Sequence, residues 1–239
     1  MPSTATDRAW DVPGWQLPLA QLCDSALPTG AFSHSLGLET YIDEGRVTDE
    51  ASLTAWLTVL VRTQLTHADG LAARMVYEAL DAGAPDRVWG VDERLAAQAL
   101  PRQVRDAART MGARMVAIAR ASNALPLLDD YAGRLADRRC HGHPVVAVAI
   151  TAQQLGAPRG VAVAAYLYSV ATSLTQIAVR AIPLGQTAGQ RVLAAARAEV
   201  TDAVARIATL SPEDFGAVPP GVEIAQMRHE RLRARMFMS

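Results

Sequence analysis

The sequence predicts an all-α protein, a single helical-bundle domain of about ten helices with its most apolar helices at the centre. Three observations lead there. Half of the 239 residues are apolar but only 5% are aromatic, so core volume must come from Ala, Leu and Val, which suits closely packed helices. Apolar positions recur at spacings of three and four along most of the chain. The sequence has no period-2 alternation long enough for a strand, no NG or DG hairpin turn and no internal repeat, which argues against a sandwich and an α-solenoid. A chain this long buries roughly 70–75% of the surface its unfolded form exposes, so the core needs no disulfide or metal.

Residues 1–14 read as a flexible N-terminal arm. It carries Asp7, Arg8 and Asp11 and lacks an apolar h-region, so it does not read as a signal peptide. Trp15 to Cys23 forms a short apolar helix that stops before the turn Leu27-Pro28-Thr29-Gly30. Ser35 to Glu44 is the next helix, capped by Ser35 and ended by Gly45. Thr48 is the expected N-cap of a long helix whose face carries Leu53, Trp56, Leu57, Leu60, Val61 and Leu65. A separate helix is expected from His67 to Leu80, with His67 and Asp69 at its solvated start, and Asp81 to Pro85 breaks the pattern.

Arg87 to Leu100 is helical and charged, and Pro101 opens another helix that runs to about Ala121. Leu127 to Arg139 follows, with Asp129 and Asp130 on its solvated face. Pro144 to Leu155 and Val161 to Ile182 are nearly uncharged, and helices apolar on every side belong in the middle of a bundle. The second is just long enough to span a membrane, but its Ser169, Thr172, Ser173, Thr175 and Gln176 and the lack of flanking belts favour a buried helix. Gln186 to Leu210 is amphipathic again. A proline-rich loop, Ser211 to Gly221, leads to a polar tail of residues 222–239.

Composition excludes several functions. The net charge of −1 lacks the basic excess of a nucleic-acid binder. All 23 basic residues are Arg, so neither a P-loop nor a Schiff-base lysine can exist in this chain. Cys23 and Cys140 are too few for a disulfide framework and fit a reducing cytoplasm. Cys140, His141 and His143 put three soft or borderline donors within four residues. They are weak metal candidates because no nearby Cys or His completes a site, and the plainer reading is a polar turn before a helix opened by Pro144. Ser33-His34-Ser35 sets an imidazole beside two hydroxyls without a G-x-S-x-G elbow, and HExxH, CxxC and Rossmann glycines are missing. A catalytic role is therefore not expected.

Three segments resist the plain reading, and together they carry a resemblance. The run Leu27-Pro-x-Gly-x-Phe-Ser-x-Ser-x-Gly-Leu-Glu39 is similar to the opening motif of the urease accessory protein F (UreF) family. Pro183-Leu-Gly-Gln-x-x-x-Gln190 resembles a later helix-break motif of that family, and Met227-Arg-His-Glu-x-x-x-x-Arg235-Met-Phe-x-Ser239 its C-terminal signature. Two departures stand out: Gly30 is followed by Ala31 where the family has a second Gly, and Arg231, Leu232, Arg233 and Ala234 replace Thr-x-Tyr-Ser.

The resemblance implies a non-catalytic, cofactor-free, cytoplasmic homodimer. It would bridge the urease-binding D/H-type accessory protein and a nickel-carrying GTPase, and through them apo-urease, with no nucleic acid or membrane involved. Its partner-binding residues would be Pro28, Gly30, Phe32, Ser33, Ser35 and Glu39, then Pro183, Gly185, Gln186 and Gln190, then Arg228, His229, Glu230, Arg235 and Phe237. Arg235 would anchor the tail on the D/H-type partner, with the loop around Phe32 close to the same surface. The alternative from composition alone is a helical small-molecule-binding or membrane-associated protein that uses the Ala-rich helices as cavity or span.

Overall fold

The computed structural model describes residues 11–216 and 219–239, and every regular element among them is helical. The first ten residues of the expected arm lie outside the described residues. The helices are α1 (Gln16–Leu22), α2 (Leu38–Asp43), α3 (Glu50–Leu60), α4 (Leu71–Asp81), α5 (Asp86–Gln98), α6 (Arg102–Ser122), α7 (Pro126–Ala136), α8 (Pro144–Gln154), α9 (Arg159–Ala181), α10 (Gln186–Ile207) and α11 (Pro220–His229). Short 3-10 turns occupy Ala31–Ser33 and Pro212–Asp214, and a π-helical segment, Val61–Gly70, links α3 to α4.

α8 is the centre, as its composition requires. Residues Pro144 to Ala152 are all buried, and the helix packs against α4, α6 and α9. α9 departs from expectation. One face, including Tyr166, Leu167, Leu174 and Ile177, is buried, whereas Ala164, Ala165, Tyr168, Thr172 and Gln176 are only half-buried and Val161 is exposed. Its length and composition would allow a membrane span, but packing of the buried face against α10, α8 and α4 accounts for the apolar run.

Three local expectations are corrected. The helix after Gly45 is capped by Asp49, not Thr48: Asp49 Oδ1 accepts from Ser52 N–H at 2.8 Å and Ser52 Oγ accepts from Asp49 N–H at 3.1 Å, a reciprocal box that Thr48 cannot form. The two helices expected on either side of residue 66 are one unbroken run from Glu50 to Asp81, joined through the π segment. Asp69 lies inside that run, on the same stripe as Leu65 and Ala72, so it is buried rather than at a solvated helix start. Finally, α2 begins at Leu38, because Leu36 (φ 51°) and Gly37 (φ 87°) turn the backbone out of helical geometry.

The tail is ordered as well. α11 packs on α2 and α6, and residues 230–239 return along the opening loop. Gly37 makes that packing possible. A Cβ there would lie 3.0 Å from Gln226 Cγ and 3.2 Å from the Gln226 nitrogen, in a conformation that already favours glycine.

Candidate partner-docking site

The opening loop and the tail form one unit, held by backbone and buried side-chain bonds. Met238 N–H donates to the Ser33 carbonyl at 2.7 Å, Ser35 N–H donates to the Ser239 carbonyl, and His34 Nδ1 lies 2.9 Å from Ser239 Oγ. Beneath this pairing sits Glu39, almost fully buried. Its carboxylate accepts from His229 Nε2 at 2.7 Å and from the N–H groups of Met236 and Phe237. The other ring nitrogen of His229 lies 2.8 Å from Gln103 Oε1 on α6. Thr40 Oγ1 donates to the Ala225 carbonyl at 2.8 Å and Gln226 Nε2 to the Leu36 carbonyl at 3.3 Å, tying α11 to the loop.

What this base presents outward is apolar and cationic. Phe32 is 54% exposed, Met238 is exposed along one groove with it, and Met236 is exposed as well. Arg235 is exposed too, while Phe237 points inward and is buried. Arg180, in the last turn of α9, donates to the Phe32 carbonyl at 2.7 Å, and its guanidinium carbon lies 5.9 and 5.3 Å from the ring centroids of Phe32 and Phe237. Both distances are within cation–π reach. A groove of about 380 Å³ lies alongside, lined by Pro28, Gly30, Phe32, Ser33, Gln103, Arg114 and Met238.

The residues carried over from the resemblance therefore divide into two kinds. Ser35, Glu39, His229 and Phe237 are buried against their own chain. Pro28, Phe32, Arg228, Glu230 and Arg235 are exposed, with Arg228 paired to Glu44 at 3.1 Å and Glu230 to Arg102 at 3.6 Å; Gly30 and Ser33 are half-buried. Pro183, Gly185, Gln186 and Gln190 are exposed at the start of α10, with no hydrogen bond to the loop or tail among the described residues. Arg180, three residues before Pro183, is the link between that break and the loop. It was missed in the sequence because an Arg at a helix C-terminus is ordinary.

The Cys140-His141-Gly142-His143 turn has a different organiser. Asp92 is fully buried on α5 and accepts from the N–H groups of His141, Gly142 and His143 and from Tyr131 OH at 2.9 Å. The side chains diverge: His141 Nδ1 lies 3.1 Å from Arg109, and His143 Nδ1 accepts from Val145 N–H at 3.3 Å to cap α8. Cys140 is buried, and desolvation reinforced by Asp92 pushes its thiol up to about 11. Among the described residues no three His, Cys, Asp or Glu side chains converge as a metal site. Ser33 and Ser35 likewise do not pair with His34, since Ser35 Oγ accepts from Glu39 N–H at 3.4 Å.

The family model for UreF matches residues 47–197. The urease accessory protein UreF of Arthrobacter sp. (strain FB24) is 53% identical over 225 residues, covering 94% of this chain and 97% of that protein. Its counterparts from Kocuria rhizophila and Lachnoclostridium phytofermentans are 49% and 43% identical, over 93% of this chain and 96% and 98% of theirs. The chain belongs to the UreF family of urease accessory proteins. The range matched by the UreF model includes the helix break at 183–190 but neither the opening loop nor the tail. In this UreF chain, then, the loop–tail unit lies outside the matched segment and is tied to it through Arg180 on α9 and Gln103 on α6.

Proposed function

We propose that this UreF protein is a non-catalytic cytoplasmic scaffold that bridges the D/H-type urease accessory protein and the nickel-carrying GTPase while nickel is inserted into apo-urease. The observation that carries the reading is the convergence of loop and tail on one surface. Two segments almost 200 residues apart build a shared base around Glu39, and that base presents Phe32, Met236, Met238 and Arg235 to solvent. Exposed apolar side chains grouped with Arg suit a protein interface, where aromatic, Met and Arg anchors carry most of the binding energy. On this reading the exposed residues contact the D/H-type partner, and Ser35, Glu39, His229 and Phe237 position them.

A scaffold of this kind acts by raising the effective concentration of one partner near another. Truncating a central anchor such as Arg235 or Phe32 costs on the order of 2 kcal/mol in binding, which is roughly a 30-fold loss of affinity. Urease activation in cells expressing the structural genes and the other accessory proteins, with this chain present, absent, or as Arg235→Ala, tests the proposal. Nickel-dependent activity only with the parent chain, and purified Arg235→Ala that keeps its helical spectrum, is the expected result. Full activation by the variant would refute the assignment of the tail.

A homodimer is the second part of the proposal. The outer strip of α9, Ala164, Ala165, Tyr168, Thr172 and Gln176, is uncharged and only half-buried in one chain. Sedimentation equilibrium is expected to give twice the mass of the 25.5 kDa chain. A single-chain mass across the micromolar range would remove this part.

A further inference from the structure

The groove between the opening loop and α6 carries a positive charge that the chain itself does not neutralise. Arg114 of α6 is exposed on it, and Nη1 of its guanidinium donates to the Thr29 carbonyl at 3.1 Å. That bond pins the guanidinium against the loop and leaves most of its five N–H donors free. Among the described residues Arg114 forms no ion pair, and Asp106, the acidic side chain on the groove, lies 4.0 Å from Arg102 instead.

Gly30 makes room for this arrangement. A Cβ there would lie 2.8 Å from Arg114 Nη1, and its φ of 88° already favours glycine. Burial, the Arg114 charge and His229 together draw His34 below its ordinary value, so the groove's cation near neutral pH is the guanidinium and not the imidazole. A second exposed arginine without an ion pair among the described residues, Arg180, has its guanidinium carbon 5.9 Å from the centroid of the Phe32 ring. Phe32 and Met238, both exposed, supply the apolar side of the groove. The chain as a whole has a net charge of −1, so this local excess of arginine does not extend to the broad basic field of a nucleic-acid binder.

We propose that this groove receives an Asp or Glu side chain of the D/H-type partner, whose carboxylate pairs with Arg114 while an apolar neighbour packs on Phe32 and Met238. The docking proposed above is the premise; what is added is the chemistry of the partner's face, acidic beside apolar. A guanidinium offers two parallel N–H groups to a carboxylate, a geometry that an ammonium does not reproduce. Complementary charge of this kind also speeds the encounter of the two proteins and makes their binding sensitive to salt.

Calorimetric titration of the purified full chain with the D/H-type accessory protein is the test. Arg114→Gln should weaken binding at least tenfold with the helical spectrum kept, and Arg114→Lys should recover only part of the loss. Arg120→Gln, on the same helix but paired with Asp129 at 2.6 Å, should bind like the parent. Because Arg114 also holds the Thr29 carbonyl, Arg114→Glu is combined with Asp→Arg and Glu→Arg substitutions scanned over the partner. One of them should restore binding at least tenfold, which a purely loop-positioning role would not produce. In the unmodified chain, raising NaCl from about 50 to about 500 mM should weaken binding at least tenfold. Parent binding that Arg114→Gln or salt leaves unchanged, a scan with no restoring substitution, or loss of self-association in place of partner binding would overturn this proposal alone. A parent chain that does not bind the D/H-type protein at all removes the docking reading together with it.

Discussion

Replacing Glu39 with Ala is expected to detach residues 230–239 from the bundle and to end urease activation. The substitution removes the one acceptor shared by His229 Nε2 and the N–H groups of Met236 and Phe237. His229 has no solvent exposure, so its nitrogen cannot turn to water in place. A buried donor without a partner costs about 1–3 kcal/mol, and two are created together, on His229 and Phe237, while the half-buried Met236 N–H loses its acceptor as well. On the other side stands the burial of Phe237, about 1.5–3 kcal/mol, against an ordering cost near 1–2 kcal/mol for each residue fixed. The docked tail therefore loses, while α3 to α10, which do not touch Glu39 through these bonds, stay folded. The tail carries Arg231, Arg233 and Arg235, all exposed, so trypsin reports its release. Cleavage at these sites, followed by mass spectrometry, should be faster by one to two orders of magnitude in Glu39→Ala. Glu39→Gln should fall between, because one amide oxygen still accepts while its NH2 opposes a donor. A tail as protected in Glu39→Ala as in the parent would show that the carboxylate does not hold it.

Asp92→Ala is expected to lower the stability of the whole bundle by about 3–5 kcal/mol, because each buried donor left without its acceptor costs about 1–3 kcal/mol and part of that loss is recovered by local rearrangement. Four donors lose their acceptor: Tyr131 OH and the N–H groups of His141, Gly142 and His143. The damage spreads because this turn starts the central helix α8 at Pro144 and touches α6. At Gly112 of α6 an added Cβ would lie 1.7 Å from the Gly142 carbonyl oxygen, so the turn has no room to shift toward that helix. Urea denaturation monitored by far-UV dichroism measures the loss, and a change under 1 kcal/mol would contradict the assigned role. The two acidic residues should also separate functionally. In Asp92→Ala activation falls in step with the folded fraction, whereas Arg235→Ala loses activation with its unfolding midpoint unchanged.

Much of the fold was legible because it rests on short-range signals. Proline and glycine punctuation located most helix ends to within a few residues, as at Gly45, Pro85, Pro101 and Pro144. Asp92 leaves a readable trace in the sequence. It falls on the apolar stripe of α5 between Val88 and Leu95, where an acidic side chain must find donors or stay unburied. Asp69 falls in the same way between Leu65 and Ala72, a trace hidden by the expectation that a new helix starts at His67. The join itself was not legible, because Val61–Gly70 continues the run as rare π-helical turns with no proline to mark them. The helix break at 183–190 was found by its own residues, yet its connection to the loop runs through Arg180, whose partner Phe32 lies 148 residues away.

By itself the sequence determined the helical class, the central position of α8, the lack of lysine chemistry and the three segments that point to the UreF family. These follow from composition and from spacing along a helix, which act within a few residues. Only the tertiary structure decided which of those residues face solvent. It buried Ser35, Glu39, His229 and Phe237 as the base of a surface and left Phe32, Arg235 and Met238 exposed upon it. It also left one side of α9 open and turned Asp69 into a cavity. The physical reason is that a buried carboxylate takes its partners from wherever the chain returns. For Glu39 they come from 190 to 198 residues further on, a distance over which no local pattern carries information.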